Sequence, residues 1–308
     1  MIVFGPVPSR RLGQSLGINN IPPKTCSYSC VYCQIGRINR MRAERCEFYK
    51  PEAVFAQTEK KLTDLGDERV DYLTFVPDGE PTLDINLGWH IDSMKPFGIR
   101  IAVITNASLL WMDDVKEDLQ KADYVSVKID AADHRGWKET DRPHGSLTLK
   151  KVLRGVTDFA KRFEGTLVSE TMLVKGYNDD SGQIKETAAL IRGIGPTEAY
   201  LLVPTRPPAE TGVLRPTAES LRNAYDVFRQ NGLQAECVTG KEDDGFYFSD
   251  DVVSDLLSIT SVHPMREDVV VALLEKRNLD RSFIDRLVEK KLIGKYVFEG
   301  ETFYKRNI

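Results

Sequence analysis

The stretch Tyr124-Val125-Ser126-Val127-Lys128-Ile129-Asp130-Ala131 decides the reading of the fold. Its β-branched and aromatic residues predict a strand over Tyr124–Ile129, and period-two alternation sends Ser126, Lys128 and Asp130 to one face. Three polar side chains on an interior face need a ligand or mutual pairing, because an unpaired buried charge is costly. A structural Lys128–Asp130 pair is the plainer alternative. Similar runs stand at Ser15–Ile21, Tyr72–Val76, Arg100–Thr105, Thr166–Val174 and Ala199–Val203, and a weaker one at Leu233–Val238. Each is followed by turn residues and a helical pattern, such as Leu149, Val152, Leu153, Val156 and Phe159. Repeated βα units predict an α/β fold, a partial (β/α)6 TIM-like barrel over residues 1–240, with function at the carboxyl ends of the strands.

The period changes near the end. Past a linker at 241–249, residues 250–308 predict three helices, Asp250–Ile259, Arg266–Lys276 and Arg281–Lys291. A hairpin of Lys295–Phe298 and Glu301–Tyr304 follows, turning at Glu299-Gly300. Three helices and a hairpin describe a small C-terminal winged-helix domain. Such modules often dock nucleic acid, but Arg281, Arg286, Lys290 and Lys291 of its third helix alternate with Asp285 and Glu289. Protein docking, or a lid over the barrel, fits the balanced charge equally.

Thr25-Cys26-Ser27-Tyr28-Ser29-Cys30-Val31-Tyr32-Cys33 follows directly on the first strand, so three thiols share one strand-end loop. Thiolates suit iron–sulfur clusters or zinc. Structural zinc needs a fourth ligand, commonly in two separated pairs, and His90, His134, His144 and His263 are all remote in sequence. A cubane held by three thiolates keeps one iron open for a ligand. Cys46 and Cys237 read as ordinary buried or partly buried thiols.

The bulk numbers exclude little else. A chain of 308 residues can bury a full enzyme core, and a net charge of −4 gives no strong field toward nucleic acid or anionic membrane. No apolar run approaches the roughly 18 residues of a membrane span, so no membrane partner and a cytoplasmic location are expected. Five cysteines, three of them clustered, suit a reducing compartment and a metal site better than disulfides.

The C-x3-C-x2-C loop, with Tyr32 before its last cysteine, resembles the defining motif of the radical S-adenosylmethionine (SAM) superfamily. The resemblance implies a [4Fe–4S] cluster on Cys26, Cys30 and Cys33, with SAM chelating the open iron. It further implies one-electron cleavage of SAM to a 5′-deoxyadenosyl radical that takes a hydrogen atom from substrate. Pro77-Asp78-Gly79-Glu80-Pro81-Thr82 is similar to the superfamily's Gly-Gly-Glu element, with Asp78 in place of the first glycine. By that likeness Gly79, Glu80 and Pro81 hold the amino group of SAM and Tyr32 packs near adenine. Asn106, Ser126, Lys128 and Asp130 contact ribose and the methionine carboxylate, and Thr205 contacts adenine or substrate. Arg10 and Arg11 could hold substrate phosphate or carboxylate, or form a solvated basic turn. Glu170, Lys175, Asn178 and Arg206 are further candidates for ligand contact, and Asp141-Arg142-Pro143-His144 reads as a surface loop.

Gly5–Arg11, Leu16–Lys24 and Thr205–Glu210 together resemble uncharacterised radical enzymes grouped with the tRNA wybutosine-precursor (4-demethylwyosine) synthases. Those synthases carry further cysteines ahead of the motif for a second cluster, and none precedes Cys26. The implied partners are a one-electron donor such as ferredoxin or flavodoxin and a macromolecular substrate, an RNA base or a protein side chain. The alternatives are a radical activase or small-molecule radical enzyme, and a winged-helix regulator whose iron–sulfur cluster senses redox state.

Overall fold

The structure is a computed structural model that describes residues 2–239, Phe246 and residues 251–307. The expected linker, 241–249, lies outside the described residues except for Phe246. In chain order the barrel part comprises β1 (Val3–Ser9), β2 (Gly13–Ile18), the two-residue strands β3 (Thr25–Cys26) and β4 (Arg40–Met41), α1 (Pro51–Leu65), β5 (Tyr72–Phe75), α2 (Leu87–Met94), β6 (Arg100–Thr105), α3 (Asp113–Leu119) and β7 (Tyr124–Lys128). It continues with α4 (His134–Thr140), α5 (Leu149–Ala160), β8 (Thr166–Met172), α6 (Ser181–Ile194), β9 (Glu198–Leu202), α7 (Ala218–Gln230) and β10 (Ala235–Val238).

Eight of these strands form one sheet in the order β1-β2-β5-β6-β7-β8-β9-β10. All neighbours from β2 to β10 pair in parallel, and only β1 runs antiparallel to its neighbour. The fold is mixed α/β on a parallel sheet, as expected. The weak run at Leu233–Val238 supplies a full seventh parallel strand, because β10 pairs with β9 over Ala235–Val238. The first parallel strand ends at Ile18 rather than Ile21.

One strand is not expected from the sequence. Its predicted strands begin at Ser15, whereas the structure places β1 before it, over Val3–Ser9. Pro6 and Pro8 disguise the strand, yet both are tolerated because β1 is an edge with a single neighbour, where a missing N–H leaves no ladder partner unsatisfied.

The two faces of the sheet have different jobs. Val125 and Val127 point to the helices, where α5 covers them with Val152, Val156 and Phe159 while Lys150, Lys151 and Arg154 stay exposed. Burying each such apolar side chain contributes about 1.5–3 kcal/mol. On the inner face, Tyr72, Ala102, Tyr124, Val168 and Tyr200 pack with Leu12 as a separate cluster that fills the amino end of the sheet. Polar side chains therefore accumulate toward the opposite, carboxyl end.

The remaining elements are α8 (Val252–Val262), β11 (Met265–Arg266), α9 (Glu267–Lys276), α10 (Ser282–Glu289), β12 (Ile293–Phe298) and β13 (Glu301–Arg306). The three strands form an antiparallel sheet in the order β11-β13-β12. Leu256, Ile259, Val270, Leu274, Ile284 and Tyr304 make their core, with Val7 of β1 packed against it. Among the described residues no helix is long and apolar enough to cross a membrane.

Candidate active site

The cysteine loop is pinned before it reaches its first thiol. Thr25 bridges Gly79 in parallel, its carbonyl accepts from Glu80 N at 3.1 Å, and Lys24 N donates to Asp78 O at 2.8 Å. Gly79 is required for this crossing, because a Cβ there would lie 1.8 Å from the Thr25 carbonyl oxygen. The backbone that approaches this glycine is therefore the protein's own. Glu80 is buried beside it, and its Oε1 accepts from Thr82 N at 3.1 Å and from the Thr82 and Thr105 hydroxyls at 2.6 Å each. Its Oε2 accepts from Asn106 N at 2.7 Å. Burial raises the Glu80 pKa against the pull of these donors. Pro81 opens a single helical turn, and its carbonyl accepts from Asn20 Nδ2 at 3.1 Å.

The thiols differ in their surroundings. Asn106 Nδ2 and Tyr28 N both lie 3.5 Å from Cys26 Sγ, and Cys30 Sγ lies 3.5 Å from Asp141 Oδ1. The turn is closed by Cys33 N on Cys30 O at 3.1 Å and Gly36 N on Cys33 O at 3.0 Å. Burial pushes the Cys26 thiol up to about 12, with Glu80 adding to it, and lifts Cys30 and Cys33 as well. Lys128 and Lys305 oppose the shift at Cys33. Such thiols keep their protons at neutral pH until a soft metal displaces them. Among the described residues no three His, Cys, Asp or Glu side chains converge as one metal ion requires. A cubane asks for less, because each thiolate binds a different iron.

Tyr32 joins the loop to β7. Its hydroxyl donates to Asp130 Oδ2 and lies 3.4 Å from Asp141 Oδ1. The Lys128 ammonium sits 5.1 Å from the Tyr32 ring centre. Burial works to lower the Lys128 pKa, but Asp130 and Glu170 outweigh it and the net shift is upward. Asp130 Oδ1 accepts from Met172 N at 2.7 Å, and Ser126 donates to Glu170 Oε1 at 2.5 Å. The three polar positions expected to share a face thus split. Ser126 and Lys128 border Glu170, whereas Asp130 serves Tyr32.

Two surface expectations are corrected. Arg11 does not form a solvated turn, because its guanidinium enters the sheet interior and bonds Glu170, and there it also lines the cavity that begins at Cys33. Asp141 is buried, and the Thr140 and Asp141 carbonyls accept from Val31 N at 2.9 Å and Ser29 N at 3.1 Å. That stretch clasps the cysteine loop instead of forming a free surface loop. Asn178 also turns inward to protein, donating to the Asp130 and Met172 carbonyls at 2.8 and 2.9 Å. His144 bonds Ser146 at 2.8 Å, and Lys175 is exposed.

A cavity of about 380 Å³ begins at Cys33 and runs past Lys128, Glu170 and Thr205. Its far wall comes from a part of the chain the motif gives no hint of. Val262 and His263, at the end of α8, close it between the edge strands β1 and β10. Gln34 Nε2 donates to Val262 O at 2.7 Å, and Arg206 donates to Gln34 Oε1 at 2.9 Å and to His263 Nε2 at 2.8 Å. Arginine has no acceptor, so this contact puts the His263 proton on Nδ1. The Lys305 ammonium would lie 3.4 Å from a Cβ placed on Gly36. Burial lifts Asp78 to about 6 against the opposing pull of Ser261, Lys305 and Arg306.

Residues 20–190 match the radical SAM superfamily. The chain belongs to that superfamily. This radical SAM protein is 44% identical over 309 aligned positions to a UPF0026 protein of Methanocaldococcus jannaschii, covering 100% of this chain and 96% of the relative. Its fold is similar to that of TYW1 with a lysine-pyruvate adduct bound, at a TM-score of 0.52 and 16% identity, covering 70% of this chain and 73% of that one. It is also similar to Streptococcus suis SuiB bound to S-adenosylmethionine, at a TM-score of 0.53 and 14% identity, over 72% of this chain and 49% of SuiB. At these identities the likeness is one of fold, so the wybutosine-synthase resemblance stands as structural only. As a radical SAM protein it is an enzyme, and its cofactors are a [4Fe–4S] cluster and SAM. The donor set fits them: three soft thiols on one loop, each partly buried, with Cys33 at the start of a cavity that carries the half-buried Lys128.

Proposed function

We propose that Cys26, Cys30 and Cys33 hold the three protein-ligated irons and that the cavity beyond Cys33 seats SAM and the group it attacks. The observation that carries this reading is the meeting of the pinned cysteine loop with the cavity at Cys33. When bound, the cluster supplies one electron that breaks the C5′–S bond of SAM, giving methionine and a 5′-deoxyadenosyl radical that abstracts a substrate hydrogen. The chain's residues do the positioning. Lys128 presents its ammonium to the methionine carboxylate, Tyr32 and Thr205 flank the adenosine, and Ser126 and Glu170 fix the floor. Gly79, Glu80 and Pro81 shape the edge that receives the amino group, with the Glu80 carboxylate bracing Thr105 and Asn106. Asp130 acts through Tyr32.

The substrate reading is a single group of a macromolecule, an RNA base or a protein side chain. The separate core of residues 251–307, and its three helices followed by a β12–β13 hairpin, support a winged-helix domain after a break at 241–249. That domain borders the cavity through Val262 and His263, where a docked partner would meet it. The partial-barrel reading, in six or seven βα units, is supported by the parallel order of β2 to β10.

The test is anaerobic reconstitution with iron and sulfide, followed by SAM and dithionite. Formation of 5′-deoxyadenosine is expected, and its absence from a fully iron-loaded protein would sink the reading.

A further inference from the structure

Asp78 stands before Gly79 and Glu80, yet the proposed chemistry leaves its carboxylate unused. Pro77 lines the cavity, whereas Asp78 does not. It is 1% exposed, and its backbone belongs to the pin under the cysteine loop: Asp78 N donates to Asn19 Oδ1 at 3.0 Å, and Asp78 O accepts from Lys24 N at 2.8 Å. Its side chain meets the 251–307 segment instead. The Ser261 hydroxyl of α8 bonds the carboxylate, and Lys305 and Arg306 of β13 lie within its field. Asp78 Oδ1 has no hydrogen-bond donor among the described residues, so this buried oxygen depends on nearby positive charge. One residue thus ties the strand-end loop to the strand that carries Lys305.

That strand delivers an ammonium to the cysteine turn. Gly36 closes the turn on the Cys33 carbonyl, and a Cβ placed on Gly36 would lie 3.4 Å from Lys305 Nζ. The ammonium therefore rests against bare backbone next to Cys33. Two further bonds fix the approach: Gln34 Nε2 donates to Val262 O at 2.7 Å, and Arg306 Nη1 donates to Leu257 O at 3.5 Å. Lys305 is half-buried, where a charge acts on its neighbours more strongly than it does in water. Lys128 faces the same thiol from the barrel interior, but it lines the cavity and has a part in holding SAM. Lys305 lies outside that lining.

We propose that Lys305, brought to the Cys33 turn by the 251–307 segment, sets the reduction potential of the cluster by stabilising its reduced state. The inference rests on the reading that Cys26, Cys30 and Cys33 hold that cluster. Reduction adds one electron, so it increases the negative charge that faces the ammonium and strengthens their attraction. The potential of a thiolate-ligated cluster responds to net charge of this kind. Lys305 itself makes and breaks no bond.

The test is a redox titration of the full chain, reconstituted anaerobically with iron and sulfide. Dithionite lowers the potential stepwise in the presence of mediators, and electron paramagnetic resonance counts the reduced cluster. In Lys305→Gln the one-electron reduction equilibrium should weaken at least about tenfold, which is a potential about 59 mV more negative. Lys305→Arg keeps the charge and should stay within about threefold of the parent. Lys290→Gln removes an exposed cation from the same segment and should leave the potential where it is. Equal potentials in the parent and Lys305→Gln overturn the proposal, and so does an equal shift in Lys290→Gln. It is also overturned if Lys305→Gln loads no iron while Lys305→Arg loads it fully, because the charge would then hold the loop instead of the electron. A parent that loads no iron sinks the cluster reading and this inference together, an outcome distinct from equal potentials in loaded proteins.

Discussion

The Arg11 guanidinium bonds the Glu170 carboxylate inside the sheet, 5.3 Å from the centre of the Tyr200 ring. An arginine from the β1–β2 turn thus fills the interior below the cavity, and it shares Glu170 with Lys128 and Ser126. Burial alone would raise the Glu170 pKa, but Arg11 and Lys128 overcome it and bring the group down to about 2.

Replacing Arg11 with Met should therefore cost about 3–5 kcal/mol, the penalty for stranding one partner of a buried pair. Urea titrations at several pH values check it. Because the folded-state pKa of Glu170 is depressed from 4.5, the pair's contribution is complete above pH 4.5 and disappears as pH falls toward about 2. In the variant the folded-state pKa rises, so this acid loss should shrink or shift to higher pH.

Cys30→Ala should abolish both the brown chromophore of the reconstituted protein and 5′-deoxyadenosine formation. Cys46→Ala and Cys237→Ala should spare both. Cys46 is tied into the loop after β5 by its backbone, and Cys237 lies on the edge strand β10. Visible absorption and product chromatography on the three variants would refute the ligand assignment if Cys30→Ala retained either signal.

Gly79→Ala puts a methyl group where the Thr25 carbonyl now lies. Overpacking of this kind costs roughly 1–3 kcal/mol, and here the strain falls on the segment leading into Cys26. Iron bound per chain after reconstitution should drop along with the thermal midpoint. Normal iron loading would show that the crossing does not hold the loop.

Glu80→Gln separates bracing from ligand binding. An amide group cannot accept from all of Thr82, Thr105 and Asn106, so stability should fall by about 1–3 kcal/mol while KM for SAM changes less than about tenfold. A large KM increase with unchanged stability would place the carboxylate on the cofactor's amino group instead.

The sequence made local patterns legible and long-range pairings illegible. The parallel strands announce themselves by β-branched runs, and the cysteine loop by its spacing. β1 escaped because two prolines imitate a turn, and only its edge position makes them harmless. The carboxylate that Arg11 binds could not be named from sequence, because nothing near it reveals Glu170, 159 positions away. Asp141 escaped for the same reason, since its stretch is polar and becomes buried only by clasping Ser29 and Val31. The glutamine directly after Cys33 carried a visible clue, being a polar side chain at the start of the cavity. Its partners on Arg206 and Val262 could come only from three dimensions.

The contact of Val262 and His263 with the cavity also ties the width of its entrance to the firmness of the 251–307 core. Mild denaturant that loosens α8 would widen that entrance first, while the cysteine loop keeps its separate anchorage on Gly79 and Glu80.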